Sequence, residues 1–247
     1  SPTLKSDEVG PLLKTVKENI TIPVIAGVGT NCTQKTIDNI KNIRPYNVDG
    51  LLVIVPYYNK PNQDSIYAHF SEVAKNTDLP IMMYNVPGRT GANMLPDTVS
   101  KLSKIENIVA VKEASGDIAQ LTRIIQSTSD DFLAYTGDDI LTLPSLSVGA
   151  YGVVSVATNI AGTKVKKMIH EFLDGNYDEA MRLNLELTQL YDGLFATTNP
   201  VAVKSALNLI GEDVGGCRLP LTDASEEIKI LLKKCLSELN QKGLTYA

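Results

Sequence analysis

Histidine is scarce in this chain. Only His69 and His170 occur among the 247 residues, and both fall inside stretches of helical period, away from every strand end, where they read as ordinary helix-surface residues. Acid–base chemistry therefore has to come from other side chains. Cysteine is little more frequent: Cys32, Cys217 and Cys235 are scattered without CxxC spacing, a pattern that suggests neither a disulfide framework nor a zinc site, only reduced thiols. No lysine- or arginine-rich run occurs, and the formal net charge is -5, so nothing tracks a phosphate backbone and nucleic acid is not expected as a partner. Apolar runs stay well short of the ~18 residues that span a bilayer. The opening stretch, SPTLKSDEVG, lacks a basic region followed by an apolar one. A soluble, cytoplasmic protein without a membrane partner is expected. Low-complexity linkers and internal repeats are also missing.

What the chain does have is apolar content, 43% of it, enough for one substantial core at a length where parallel α/β barrels form single domains. Short β-branched runs alternate with longer stretches of helical period. The strand candidates are PVIAGV (residues 23–28), GLLVIVP (50–56), IMMYNVP (81–87), NIVAVKEA (107–114), FLAYTG (132–137) and GVVSV (152–156), each apolar enough for burial on both faces. Between them lie helix candidates over residues 33–42, 64–76, 96–103, 118–127 and 140–146, and such repetition builds a parallel sheet. Beyond residue 156 only helices are expected, over 163–173, 177–190, 201–209 and 224–239.

Six strands fit awkwardly with a closed parallel barrel, which takes eight. Residues 6–17 already read as a helix, with Asp7 and Glu8 in its first turn, so the chain reads as beginning just after a strand. One further β-α-β unit, roughly 30 residues or more, would bring the count to eight; an open six-stranded sheet is the other possibility. The expected organisation is a barrel portion over 1–160, followed by the last barrel helix and a helical C-terminal extension over 161–247, together one structural unit.

In parallel sheets ligands bind at the carboxyl ends of strands, which directs attention to the stretch YNVPGRTG and to its neighbours. Lys112 lies near the end of NIVAVKEA and, by alternation, shares a face with Ile108 and Ala110. An amine aimed into an apolar interior is desolvated toward its free form, as attack on a carbonyl requires. It is either a Schiff-base lysine or a rim lysine that snorkels or pairs with Glu113. Tyr84 lies near the end of the preceding strand, on the face of Met82 and Val86. Its phenol can move the protons that imine chemistry needs, or simply satisfy a backbone carbonyl. Arg89 follows in the loop, where its fork can grip a carboxylate or stand in solvent. Tyr57 and Tyr58 after the second strand are more aromatic surface than a turn requires, and suit either the site or a subunit contact. Gly137 and the stretch from Gly152 let backbone approach a small ligand. Asp138 and Asp139 invite a metal, but no third ligand stands at suitable spacing.

The set VPYYNKPNQ, YNVPGRTG, VAVKEASGD, YTGDD, GVVSV and NPVAVK, in this order and spacing, resembles the dihydrodipicolinate synthases, also called 4-hydroxy-tetrahydrodipicolinate synthases, over essentially the whole chain. The resemblance implies a (β/α)8 TIM barrel with a C-terminal helical extension, assembly as a homo-oligomer (dimer or tetramer), and membership of the pyruvate-dependent class I aldolases. YNVP alone marks only that superfamily; the arginine of YNVPGRTG points to the synthase branch. By position, Lys112 matches the Schiff-base lysine, Tyr84 the proton donor and acceptor, and Tyr58 the relay tyrosine lent by a neighbouring subunit. Arg89 matches the clamp for the aldehyde's carboxylate, and Gly137 and Val154 match backbone positions contacting substrate or pyruvate. No metal or organic cofactor is implied, because the imine on Lys112 is itself the electron sink.

The implied reaction is condensation of pyruvate with L-aspartate 4-semialdehyde, at the entry to diaminopimelate and lysine biosynthesis. A lyase acting on N-acetylneuraminate or a 2-keto-3-deoxy sugar acid, and an inactive truncated homologue, are the alternatives. The family's Gly-Thr-Thr-Gly-Glu motif, whose threonines complete the hydroxyl relay and bind pyruvate, would precede Ser1 and is absent from this sequence. For the lysine-inhibition site of the family, Asn31 and Tyr57 match, but the glutamate position holds Lys35 and the helix over residues 6–17 has no histidine.

Overall fold

The structure, a computed structural model, describes residues 2–241. The chain forms two compact units, one running to Gly137 and including Val148–Tyr151, the other made of Asp138–Ser147 and the residues from Gly152 onward.

In the first unit, β1 (Ile25–Gly27), β2 (Gly50–Ile54), β3 (Ile81–Asn85), β4 (Ile108–Glu113) and β5 (Leu133–Thr136) pair side by side, all parallel and in chain order. Helices α1 (Ser6–Asn19), α2 (Thr33–Ile43), α3 (Gln63–Lys75), a single turn α4 (Pro87–Thr90), α5 (Pro96–Leu102) and α6 (Ile118–Ser127) alternate with them. This is the strand–helix alternation of the TIM-barrel class expected from the sequence. Local chemistry sets several helix starts: the Asn62 side chain accepts from Ser65 N–H at 2.9 Å to open α3, and Asp117 accepts from Gln120 N–H at 3.0 Å to open α6. Each satisfies a backbone donor that the first turn leaves orphaned.

The sheet's two faces differ in kind. Val53, Met83, Val111 and Ala134 pack with Ile66, Phe70, Leu102 and Ile124 from the helices in one buried core, and each large apolar side chain so buried contributes about 1.5–3 kcal/mol. The opposite face carries two rungs. Leu52, Met82, Ala110 and Leu133 are register partners across β2 to β5, and one step toward the carboxyl ends so are Ile54, Tyr84, Lys112 and Tyr135. One expectation is corrected here. Ile81 partners Ile108 but Met82 partners Ala110, so Val109 is extruded as a bulge and Ile108 joins the helix-side core. Lys112 therefore shares its face with Ala110 and not with Ile108.

The second unit holds β6 (Gly152–Val153), α7 (Thr142–Ser147), α8 (Thr158–Leu173), α9 (Tyr177–Phe195), α10 (Val201–Leu209) and α11 (Glu226–Gln241). The helix expected over 140–146 is a 3-10 turn, Asp139–Leu141, leading into α7. Its core joins Ile160, Val165, Met168, Leu187, Leu190, Tyr191, Leu194 and Leu232. A buried ion pair of Lys164 with Glu186 ties α8 to α9. Among the described residues no helix is long and apolar enough to cross a membrane.

His69, expected on a helix surface, is instead buried, with 6% of its area exposed. It lies on the inner side of α3, where Nδ1 shares a 2.9 Å hydrogen bond with the Thr33 hydroxyl and the ring packs edge-on against Phe70 at 5.2 Å. Nε2 is buried without a partner among the described residues. Charging this ring would strand an N–H⁺ away from water, and burial lowers its pKa from 6.5 to about 4. The sign follows from linkage: between pH 6.5 and about 4 the unfolded chain binds a proton that the folded chain does not, so stability falls as pH drops through this window. The loss expected from His69 alone is roughly 3 kcal/mol. Urea unfolding at pH 7 and pH 4.5 should show it, and His69→Phe should flatten that part of the slope.

Candidate active site

The carboxyl ends of β3 and β4 bring together the two residues that the sequence reading singled out first. Tyr84 and Lys112 are direct register partners, and Lys112 Nζ stands over the Tyr84 ring, 4.2 Å from its centre. Both are half-buried. Met82 and Ala110, 7% and 3% exposed, form the apolar floor one rung below. An ammonium in this position is attracted by the ring face.

Gly137 has a steric role beside this pair. A Cβ on residue 137 would fall 2.8 Å from Lys112 Cε and 2.6 Å from Ala114 Cβ, so the absent side chain is the space through which the lysine runs. Its N–H donates to the Glu113 carbonyl at 2.7 Å, which fixes the approach. Val154, half-buried and just past β6, belongs to the second unit.

Arg89 sits in α4. The sequence suggested a loop, but Pro87 at the first helical position and Gly91 as a left-handed cap close the segment into one turn. The arginine is exposed. Tyr58 is 87% exposed and has a positive φ of 74°, a conformation uncommon for a bulky residue and often associated with functional positions. Its N–H donates to the Thr90 carbonyl at 3.2 Å, so the loop after β2 is tied to the turn that carries Arg89. Tyr57 is 39% exposed.

Asp139, considered above with Asp138 as a possible metal ligand, is 1% exposed. It accepts from the Ser155 hydroxyl and from Val156 and Ala157 N–H at 3.0 and 3.2 Å, so it anchors the backbone entering α8. Among the described residues no group of three or more His, Cys, Asp and Glu is placed to hold a metal ion.

Two residues of this region, Tyr135 and Asn85, escaped the sequence reading, and a third, Glu113, was read only as a pairing partner for Lys112. Tyr135 partners Lys112 from the β5 side and stacks edge-on with Tyr151 at 5.3 Å; burial raises its hydroxyl pKa. Alternation along FLAYTG, which puts Tyr135 on the face of Gly137, was the available signal. Asn85 and Glu113 are the others. They follow Tyr84 and Lys112 directly but point to the opposite face, 0% and 4% exposed. Glu113 there accepts from Asn85 Nδ2 at 2.9 Å, Gln120 Nε2 at 3.2 Å and Ser115 N–H at 2.8 Å. Burial pushes its carboxyl pKa up, against these donors.

Known proteins resemble this chain in both sequence and backbone. The model of the dihydrodipicolinate synthetase family matches residues 1–239. A 4-hydroxy-tetrahydrodipicolinate synthase of Heliobacterium modesticaldum is 49% identical over 229 residues, 92% of this chain and 76% of that protein. Among solved structures, a dihydrodipicolinate synthase of Bacillus anthracis is 44% identical with a TM-score of 0.93, over 96% of this chain and 82% of the other. The lysine-bound enzyme of Cyanidioschyzon merolae is also 44% identical, with a TM-score of 0.95 over 97% and 82%. With sequence and backbone matched together over nearly all of its length, the chain belongs to the dihydrodipicolinate synthetase family.

Proposed function

We propose that this chain condenses pyruvate with L-aspartate 4-semialdehyde to 4-hydroxy-tetrahydrodipicolinate, with Lys112 as the imine-forming residue. The observation that carries this reading is the Lys112 amine held over the Tyr84 ring on the half-open face of the sheet. The amine adds to C2 of pyruvate, and loss of the carbinol oxygen as water leaves an iminium. A methyl proton then departs and its electrons flow into the imine to give an enamine. The enamine carbon attacks the aldehyde carbon, forming the new C–C bond. The amine of the second substrate next adds to the imine carbon and expels Lys112, closing the ring and freeing the enzyme. The protonated imine serves as electron sink throughout, so the chemistry calls for no metal or organic cofactor.

Tyr84 is the proton carrier of this scheme. Its ring lies against the amine, within reach of groups formed on it. Arg89, exposed on α4, clamps the carboxylate of the aldehyde substrate, and Gly137 offers backbone to the bound group; for Val154 a like role rests on the family's pattern alone. Tyr58, standing out from the surface, is suited to a second copy of the chain and supports a homo-oligomeric working form, dimer or tetramer.

Incubation with pyruvate and borohydride should add one reduced pyruvate to the peptide containing Lys112, detected by mass, and Lys112→Ala should abolish it. An adduct on Lys204 instead would overturn the assignment. Tyr84→Phe removes one hydroxyl from proton transfer and should lower kcat by ~100 to 10,000-fold with a smaller change in KM. Arg89→Ala should chiefly raise the KM for the aldehyde; an unchanged constant removes it from the clamp. Lysine should not inhibit at millimolar concentration: Lys35, exposed on α2, sets a cation where the family's site holds an anion, and like charges repel even when solvent weakens the effect. Inhibition in that range, with lysine bound beside Asn31 and Tyr57, would refute this.

A further inference from the structure

Behind the Tyr84–Lys112 rung, on the helix side of the same two strands, lies a closed polar circuit. Asn85 and Glu113 are themselves register partners, and the 2.9 Å bond from Asn85 Nδ2 to Glu113 Oε2 spans the strands one residue beyond the reacting pair. Asn85 Nδ2 also donates to Asn93 Oδ1 at 2.8 Å, and Asn85 Oδ1 accepts from Met94 N–H at 2.9 Å. One side chain thus ties together both ends of the segment that carries Arg89. Gln120 donates to Glu113 and to Asn93 Oδ1, and Asn93 Nδ2 donates back to Gln120 Oε1 at 2.9 Å. Gln63 extends the circuit to the Asn93 carbonyl at 2.8 Å.

Amide side chains can be turned end for end; an ionised carboxylate cannot. Both Glu113 oxygens accept, Oε1 from Ser115 N–H and Oε2 from the two amides, so the NH2 of Asn85 and of Gln120 faces it. Their oxygens are then directed at Met94 N–H and at Asn93 Nδ2. With Glu113 accepting at one end and Met94 N–H donating at the other, each of the three amides has one permitted orientation.

We propose that Glu113, acting through Asn85, is a positioning residue that fixes the Tyr84–Lys112 rung and the Arg89 segment in one mutual geometry. The inference rests on the reaction assigned above and extends it to residues that touch no substrate. Glu113 sits on the far side of the strand from Lys112, so its influence passes through the paired backbones, where Ala114 N–H donates to the Asn85 carbonyl at 2.8 Å.

Glu113→Gln keeps the volume but sets an NH2 against one of three donors. Borohydride trapping rates with pyruvate, kcat and KM are to be measured on the whole chain, with melting followed by circular dichroism. Phe70→Leu, a change in the helix-side core outside this hydrogen-bonded circuit, provides the baseline for mere destabilisation. The expected result is a folded variant whose trapping rate and kcat fall together by about ten- to hundredfold, while the KM for pyruvate moves by less than threefold and Phe70→Leu retains its rates. Rates within twofold of the parent, or a fall matched by Phe70→Leu at equal loss of melting temperature, overturn the proposal. Should Glu113→Gln unfold at assay temperature, Gln120→Met removes one donor to Glu113 more gently. The same joint fall, smaller in size, is then expected, and unchanged rates in the folded protein refute it. A parent chain that traps no pyruvate on Lys112 overturns the reaction itself, a result distinct from either variant's.

Discussion

The register between β3 and β4 is the constraint on which the site depends. Had the pairing continued unbroken from Ile81 opposite Ile108, Tyr84 would face Val111 and Lys112 would stand opposite Asn85. The bulge at Val109 advances β4 by one residue and sets Tyr84 against Lys112. Because side chains alternate, a one-residue slip also exchanges the faces of a strand. The same bulge that pairs the phenol with the amine turns Lys112 away from the helices and Glu113 toward them. Bulges are frequent near active sites for this reason: they re-aim a side chain without changing the strand that carries it.

That division of faces explains how two charged neighbours live at one strand end. Lys112, on the half-open side, keeps access to solvent and solute. Glu113 is buried, and a buried carboxylate is tolerable only when donors replace the water it lost. Three do, and they are contributed by β3, α6 and the strand's own following turn. The cost of burying the charge is therefore met by groups that also tie these elements together. An apolar pair at positions 85 and 113 would fill the space but leave the Arg89 segment without its tether.

Much of this was legible in the sequence, and the reasons differ by residue. The strand order and the positions of Tyr84, Lys112 and Gly137 follow from short apolar runs that end in breakers, because parallel strands buried on both faces leave a strong compositional trace. The face of Ile108 was not legible, since a bulge is set by tertiary pairing and Val109 looks like any strand residue. His69 was misjudged because a histidine within a helical period carries no mark of the side it occupies; burial is decided by what packs against α3, here Phe70 and Thr33. Asn85, Asn93 and Gln120 were missed, and Glu113 was read only as a partner for Lys112, for a related reason. Polar residues read as surface in a sequence, and only geometry reveals that four of them satisfy one another. Arg89 was singled out for its chemistry, yet its helical turn was overlooked, although Pro87 and Gly91 were the right signals at the right spacing.

Gly137 shows how a single feature can hold two arguments. From the sequence, a glycine at a strand end suggests that a ligand approaches the backbone closely. In the fold, that space is claimed from within the protein, by Ala114 Cβ at 2.6 Å and by the lysine's own side chain, with Cε 2.8 Å from where a Cβ would be. The two readings are compatible if the bound group sits on the lysine: an imine carbon joined to Nζ is carried past residue 137 by the chain that already occupies the gap. A side chain there would then act on the reaction before any substrate arrived, by moving the amine off the Tyr84 ring. The glycine is thus a condition on where the Lys112 amine can stand.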